Sequence, residues 1–162
     1  GTIIDEVKAD WPIDPGQVFV IGHSNGGYMA YRMACERADA IAAFISLAGA
    51  GPSQPNSCTP SQPVAGLQVH GTLDAAVPYA SGTSSAADWS SRNNCDAKPT
   101  AGTALDFDTS IIGDETTPQT YANCDAGGQV ELWQMAGSSH IPALRQPAFI
   151  DAAMAWLLAN QR

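Results

Sequence analysis

Gly22-His23-Ser24-Asn25-Gly26 sets one serine between two glycines, directly after the apolar run QVFVI and directly before a helical pattern. A serine hydroxyl is a weak nucleophile. It needs a base within hydrogen-bond reach, and the base needs a third group to orient it. The pentapeptide fits G-x-S-x-G, which is too short to carry weight alone. A strand running in and a helix running out make it read as a nucleophile elbow. In such an elbow the serine takes strained dihedrals and its neighbours lack bulk where backbones crowd, a need that Gly22 and Gly26 are expected to meet. Gly27 and Ala30 would keep the helix close to the strand. Ser24 is then presented above the strand's carboxyl end, where the backbone N–H of Asn25 can stabilise an oxyanion.

Three histidines are available as the base. His23 lies inside the elbow and points away from the serine in most of its rotamers. His70 ends a strand in LQVHGTLD, where packing against neighbours is the simpler role. His140, in MAGSSHIPAL, follows the last strand in a loop of small and polar residues that can swing an imidazole over the sheet edge. His140 is the favoured base. Asp74, in VHGTLDAAVPY, again follows a strand and is the favoured acid. Asp88, Asp106 and Asp108 fall in a helix or in irregular sequence and are expected to be solvated. The order Ser24, Asp74, His140 is that of α/β-hydrolases and differs from the orders in chymotrypsin and subtilisin. Three candidates, each just past its own strand, are far more specific than the pentapeptide. Tyr79, Trp89 and Trp133 could form an aromatic wall for substrate, although core packing is the weightier reading of each.

The elements that must position these residues follow from periodicity. Residues 2–9 read as the tail of a helix closed by Pro12 and Pro15-Gly16. Gln17 to Ile21 reads as a strand buried on both faces, and residues 25–37 as a helix with Met29/Met33 and Ala30/Ala34 on adjoining buried faces. Ala43 to Ala48, Leu67 to His70 and Gln129 to Met135 read as further strands, with a short one at Leu105 to Phe107. GAGPSQPNSCTPSQP is a loop by its Pro, Ser and Gly content, and residues 95–128 are largely irregular. Residues 82–93 form a helix, and Pro147 opens a last helix through Leu158. Strands alternating with helices imply an α/β fold, a mostly parallel sheet of about four strands with flanking helices. No repeat or linker divides residues 1–162, which read as a single domain.

Sixteen acidic residues against seven Lys plus Arg give a formal charge of −9. A polyanion would be repelled, so nucleic acid is not expected as a partner. No apolar run reaches bilayer length, and no signal-peptide pattern opens the chain. Any export signal is expected to have been removed or to lie upstream. The four cysteines show no CxxC pair and no metal-ligand spacing, so neither zinc nor another metal is expected. Cys35, Cys58, Cys95 and Cys124 allow three disulfide connectivities. The sequential pairing would staple the two longest irregular segments, and disulfides outweigh free thiols. They suit a secreted or periplasmic location.

VFVIGHSNGGYMAYRMACERAD, VHGTLDAAVPY and VELWQMAGSSH resemble the polyhydroxybutyrate depolymerase and feruloyl esterase group of secreted α/β-hydrolases, in that family's order and over roughly residues 10–160. The resemblance implies Ser24 as nucleophile, Asp74 as acid, His140 as base and the Asn25 N–H as one oxyanion donor. It also implies disulfides at the cysteines after YRMA and SRNN. Family members carry several strands before the elbow strand, and a loop among them supplies the second oxyanion donor. This chain starts one helix before the elbow, an N-terminally truncated or minimal version of the fold. In the family's sheet order the strand Gln17 to Ile21 then lies at an edge with no Lys or Pro to blunt it, which invites a homodimer through that strand. The expectation is a serine carboxylic-ester hydrolase, without cofactor, acting on polyester, feruloyl or small soluble esters. The rivals are a non-catalytic fragment or binding module and a serine peptidase on the same fold.

Overall fold

In the computed structural model, which describes residues 2–52, 54 and 57–162, the elements run α1 (Thr2–Asp10), β1 (Phe19–His23), α2 (Asn25–Glu36), β2 (Ala43–Leu47), β3 (Ala65–Gly71), α3 (Tyr79–Arg92), β4 (Thr100–Ala101), β5 (Thr116–Tyr121), β6 (Val130–Met135) and α4 (Ala148–Ala159). Part of the loop expected over residues 49–63, at positions 53, 55 and 56, lies outside the described residues. The described strands form one sheet in the order β1-β2-β3-β6-β5-β4. The first four of these are mutually parallel, β5 is antiparallel to β6, and β4 is antiparallel to β5.

The sheet has six strands where about four were expected. β5, with the sequence TTPQTY, falls in the stretch read as irregular. Its middle four residues are half-buried and carry no apolar alternation, so its strand character comes from pairing with β6 across the register Thr116↔Met135 to Tyr121↔Val130. The strand expected at Leu105 to Phe107 reduces to an isolated bridge between Leu105 and Thr116.

Two apolar layers flank the sheet. Tyr31, Phe44 and Trp89 pack edge to face against one another beneath α2 and α3. On the opposite face Leu67, Val69, Phe107, Trp133, Met135 and Trp156 form the layer under α4. All seven residues of β3 are buried, as suits a central parallel strand. β1 pairs only with β2. It is not buried on both faces, since Ile21 is 57% exposed. On α2 the buried stripe is Gly27, Ala30, Tyr31, Ala34 and Cys35, at helical spacing, and Met29 lies outside it on the exposed side.

The disulfides are Cys35–Cys58 and Cys95–Cys124, the sequential pairing. The first ties the end of α2 to the loop after β2, and the second ties the segment after α3 to the end of β5. No described helix is long and apolar enough to cross a membrane.

Candidate active site

The parallel strands end at one edge of the sheet, where Ser24 follows β1, Asp74 follows β3 and His140 follows β6. Ser24 sits between β1 and α2 with φ 55° and ψ −117°, a region L-residues other than glycine enter only under constraint. The constraint comes from both sides. Its N–H donates to Leu47 O at the end of β2 (2.8 Å), and its carbonyl accepts Tyr28 N–H in the first turn of α2 (3.1 Å).

The backbone crowds so tightly here that a Cβ on Gly22 would lie 2.1 Å from the carbonyl of Gly26. A Cβ on Gly26 would meet nothing within 4 Å. The steric need expected of both glycines therefore falls on Gly22 alone. Gly27 instead lets α2 approach the loop after β2, where its Cβ would come within 2.9 Å of Gly49 Cα. Gly22→Ala is expected to cost about 3 kcal/mol or more in urea unfolding and Gly26→Ala less than about 1 kcal/mol. Equal costs would contradict this steric account.

His140 lies between β6 and α4, and Asp74 between β3 and α3. His140 Nδ1 is 2.8 Å from Asp74 Oδ2, and His140 Nε2 is 3.0 Å from Ser24 Oγ. Asp74 is buried. Its Oδ1 accepts the N–H groups of Ala76 and Val77, both at 2.8 Å. Burial pushes the Asp74 carboxyl up, but the hydrogen bond from His140 and those from Val77 and Ala76 outweigh it and hold the carboxyl below its ordinary value. An ionised carboxylate only accepts, so His140 carries its proton on Nδ1. Nε2 is left free to take the proton of the Ser24 hydroxyl. Asn25 opens α2, and its N–H belongs to the first-turn donors that find no partner within a helix.

The other two histidines are both committed elsewhere. His23 Nε2 donates to the carbonyl of His140 at 2.8 Å, with the two rings 5.0 Å apart. His70 is fully buried. Its Nδ1 accepts from Gln68 Nε2 (3.0 Å) and its Nε2 donates to Val77 O (2.9 Å), 3.3 Å from Asp74 Oδ2.

The expected aromatic wall does not form. Trp89 and Trp133 are buried on opposite faces of the sheet, and each indole N–H is spent, on Val64 O and Glu131 Oε2. Tyr79 packs against His70 and donates to Gln134 Oε1. Two grooves open instead. One of about 450 Å³ between the starts of α2 and α3 is lined by Tyr28, Gly51, Ser81, Ser84 and Asp88. Tyr28 stands one turn beyond Ser24. An apolar one of about 180 Å³ is lined by Ile21, His23, Leu47, Phe149 and Met154, against α4.

Among the three aspartates expected to be solvated, Asp88 is exposed and Asp106 pairs with Arg145, but Asp108 is 1% exposed. Burial raises its carboxyl. The hydroxyls of Ser110 and Ser138 and the N–H groups of Ser110 and Ala143 outweigh that and hold it below its ordinary value. Among the described residues no cluster of His, Cys, Asp and Glu has the arrangement to hold a metal ion.

A mostly parallel sheet with a strand–serine–helix elbow at its carboxyl edge is the α/β-hydrolase fold. A solved acetyl xylan esterase from Aspergillus awamori shares it, with a TM-score of 0.69 at 14% identity over 96% of this chain and 64% of that one. The chain belongs to the family described as "Serine aminopeptidase, S33", whose model matches residues 1–144. Feruloyl esterase D of Neurospora crassa is 31% identical over 150 residues, which cover 92% of this chain and 48% of that protein. Feruloyl esterase B of Piromyces equi is 26% identical, over 98% of this chain and 30% of that protein. This chain thus spans less than half the length of either relative.

Proposed function

We propose that residues 1–162 act as one serine carboxylic-ester hydrolase domain. The observation that carries this reading is the unbroken line from Ser24 Oγ through His140 to the buried Asp74. In this mechanism His140 Nε2 takes the proton of Ser24 as Oγ attacks the ester carbonyl. Asp74 holds the imidazole in the right tautomer and stabilises the imidazolium. The Asn25 N–H faces the tetrahedral oxyanion. His140 then protonates the leaving alcohol, and afterwards activates the water that releases the acyl group. Every proton is handled by a side chain of the chain itself. The hydroxyl-rich groove beyond Tyr28 and the apolar groove beside His23 favour esters with one polar and one apolar part. Feruloyl esters fit this better than a polyester chain, and relatives named feruloyl esterases support it. Two disulfides support a secreted or periplasmic location.

A second reading, hydrolysis of an amide on the same machinery, is favoured by the aminopeptidase description of the matching family. One experiment separates the readings. The protein is treated with a fluorophosphonate probe, then assayed on methyl ferulate, p-nitrophenyl acetate and aminoacyl p-nitroanilides. Covalent labelling with turnover of methyl ferulate and none of the aminoacyl p-nitroanilides supports the esterase, because a serine peptidase also cleaves activated esters. Turnover of the anilides supports the peptidase, and a folded protein that neither labels nor turns over any ester or anilide overturns both.

The strand expected at Gln17 to Ile21 is β1, Phe19–His23, whose unpaired edge, with the exposed Ile21 beside it, supports self-association through that strand. Light scattering over a hundredfold concentration range is expected to show a dimer that Ile21→Lys dissolves. A mass that stays monomeric throughout excludes it.

A further inference from the structure

His140 sits in an irregular segment, residues 136–147, between β6 and α4. Neither helix nor strand fixes its height above the sheet, yet its ring must stay within hydrogen-bond reach of two partners at once. The side chain that holds this segment on both sides of His140 is Asp108. Its Oδ2 accepts the Ser138 hydroxyl at 2.7 Å, two residues before His140. Its Oδ1 accepts the Ala143 N–H at 3.2 Å, three residues after. The same Oδ1 takes the hydroxyl and N–H of Ser110, at 2.6 and 3.0 Å.

The anchor is itself anchored. Buried Glu115 accepts the N–H groups of Asp108 (3.0 Å) and Phe107 (3.1 Å). Asp108 bridges to Leu144, and Thr109 donates its N–H and its hydroxyl to Ala143 O, each at 2.9 Å. Ser138 also reaches toward the acid of the site, because its carbonyl accepts the N–H of Leu73, the residue before Asp74, at 3.0 Å. Ser138 and Asp108 are 0% and 1% exposed, so water does not compete for these bonds.

The geometry points to Asp108 as a positioning residue for His140, acting through Ser138 and Ala143 to hold the imidazole between Ser24 and Asp74. This rests on the ester-hydrolase reading above. A carboxylate suits the role because it offers two acceptor oxygens to four donors without needing a cation. Asparagine keeps the shape and one acceptor oxygen, and its amide can donate to Ser138 Oγ, whose hydroxyl rotates to accept. Alanine leaves the donors unpartnered. A displacement of about 1 Å in a reacting group costs on the order of 100-fold in rate.

The test compares Ser138→Ala, Asp108→Ala and Asp108→Asn with the wild type. The readouts are kcat per fluorophosphonate-titrated site, KM, and the low-field proton resonance of His140 Nδ1–H. Ser138→Ala and Asp108→Ala are expected to lower kcat per site by roughly tenfold to a hundredfold. KM should stay within about twofold, and the low-field resonance should broaden or move upfield. Asp108→Asn is expected to recover most of the rate. A merely structural role would lower the melting temperature while leaving kcat per titrated site and the resonance at wild-type values, and that result overturns the inference. If Asp108→Ala does not fold, Ser138→Ala decides alone, since it removes one hydroxyl and adds no volume. Failure of the ester-hydrolase reading shows itself earlier and separately, as a wild type that neither labels nor turns over. In that case the resonance in wild type and Ser138→Ala still decides whether Asp108 sets the position of His140.

Discussion

Ser24→Ala is expected to abolish fluorophosphonate labelling and to lower kcat on esters by about 10⁴- to 10⁶-fold, with the fold intact. Among the described residues, several neighbouring hydroxyls are already engaged. Ser138 and Ser110 are engaged by Asp108, and Ser85 is engaged by Ser81 and Gly51. The substitution leaves the backbone strain in place, since alanine at φ 55° is no easier than serine, and removal of the hydroxyl leaves no charge buried. Unchanged near-ultraviolet circular dichroism and an unchanged melting temperature should therefore accompany the lost activity. A variant that keeps even a tenth of wild-type ester turnover, measured per mole of folded protein, would show that Ser24 is not the nucleophile.

Asp74→Asn should come next in size, at about 10⁴-fold in kcat, and the reason lies in how Asp74 is held. Oδ1 is fixed by two backbone donors, Ala76 and Val77, so the amide of asparagine must keep its oxygen there. Its NH₂ then replaces Oδ2 and faces His140 Nδ1. A donor at that place forces the His140 proton onto Nε2, which can no longer accept from Ser24. The same variant carries a stability signature. The Asp74 carboxyl lies below its ordinary value in the folded protein, so the unfolded chain binds more protons in that range. Its contribution to stability is fully present above the ordinary carboxylate range and is lost as pH falls below it, through the lowered folded value. Urea unfolding of wild type and Asp74→Asn should differ most at neutral pH and converge on acidification. A difference that widens with falling pH would mean that burial, and not the hydrogen bonds, governs this carboxyl.

Much of this molecule is legible along the chain because its signals are local. An apolar run followed within a few residues by a polar turn marks the carboxyl end of a buried strand. Ser24, Asp74 and His140 each stand just past such a run, so their placement at one edge of a parallel sheet is readable from periodicity alone. The sequential disulfides are readable from the cysteine spacing, although the segments they close also hold β2 in the first case and β4 and β5 in the second. β5 is not readable. TTPQTY contains no alternation, and it is a strand only because β6 offers it an edge.

The amino-acid sequence by itself determined that Ser24, Asp74 and His140 would each emerge beside the end of a strand. It could not say that Trp89 and Trp133 lie on opposite faces, because that depends on the register of β6 against β3. Nor could it say that Asp108, read as solvated, is buried beneath the His140 loop. A charge is buried when enough donors converge on it, and here they come from Ser110, Ser138 and Ala143, the last 35 residues from Asp108 in the chain. Convergence of that kind has no local pattern. The pairing of β5 with β6 and the bridge from Asp108 to Leu144 decided it, and the order β1-β2-β3-β6 brought Ser24 and His140, 116 residues apart in the chain, to within 3.0 Å.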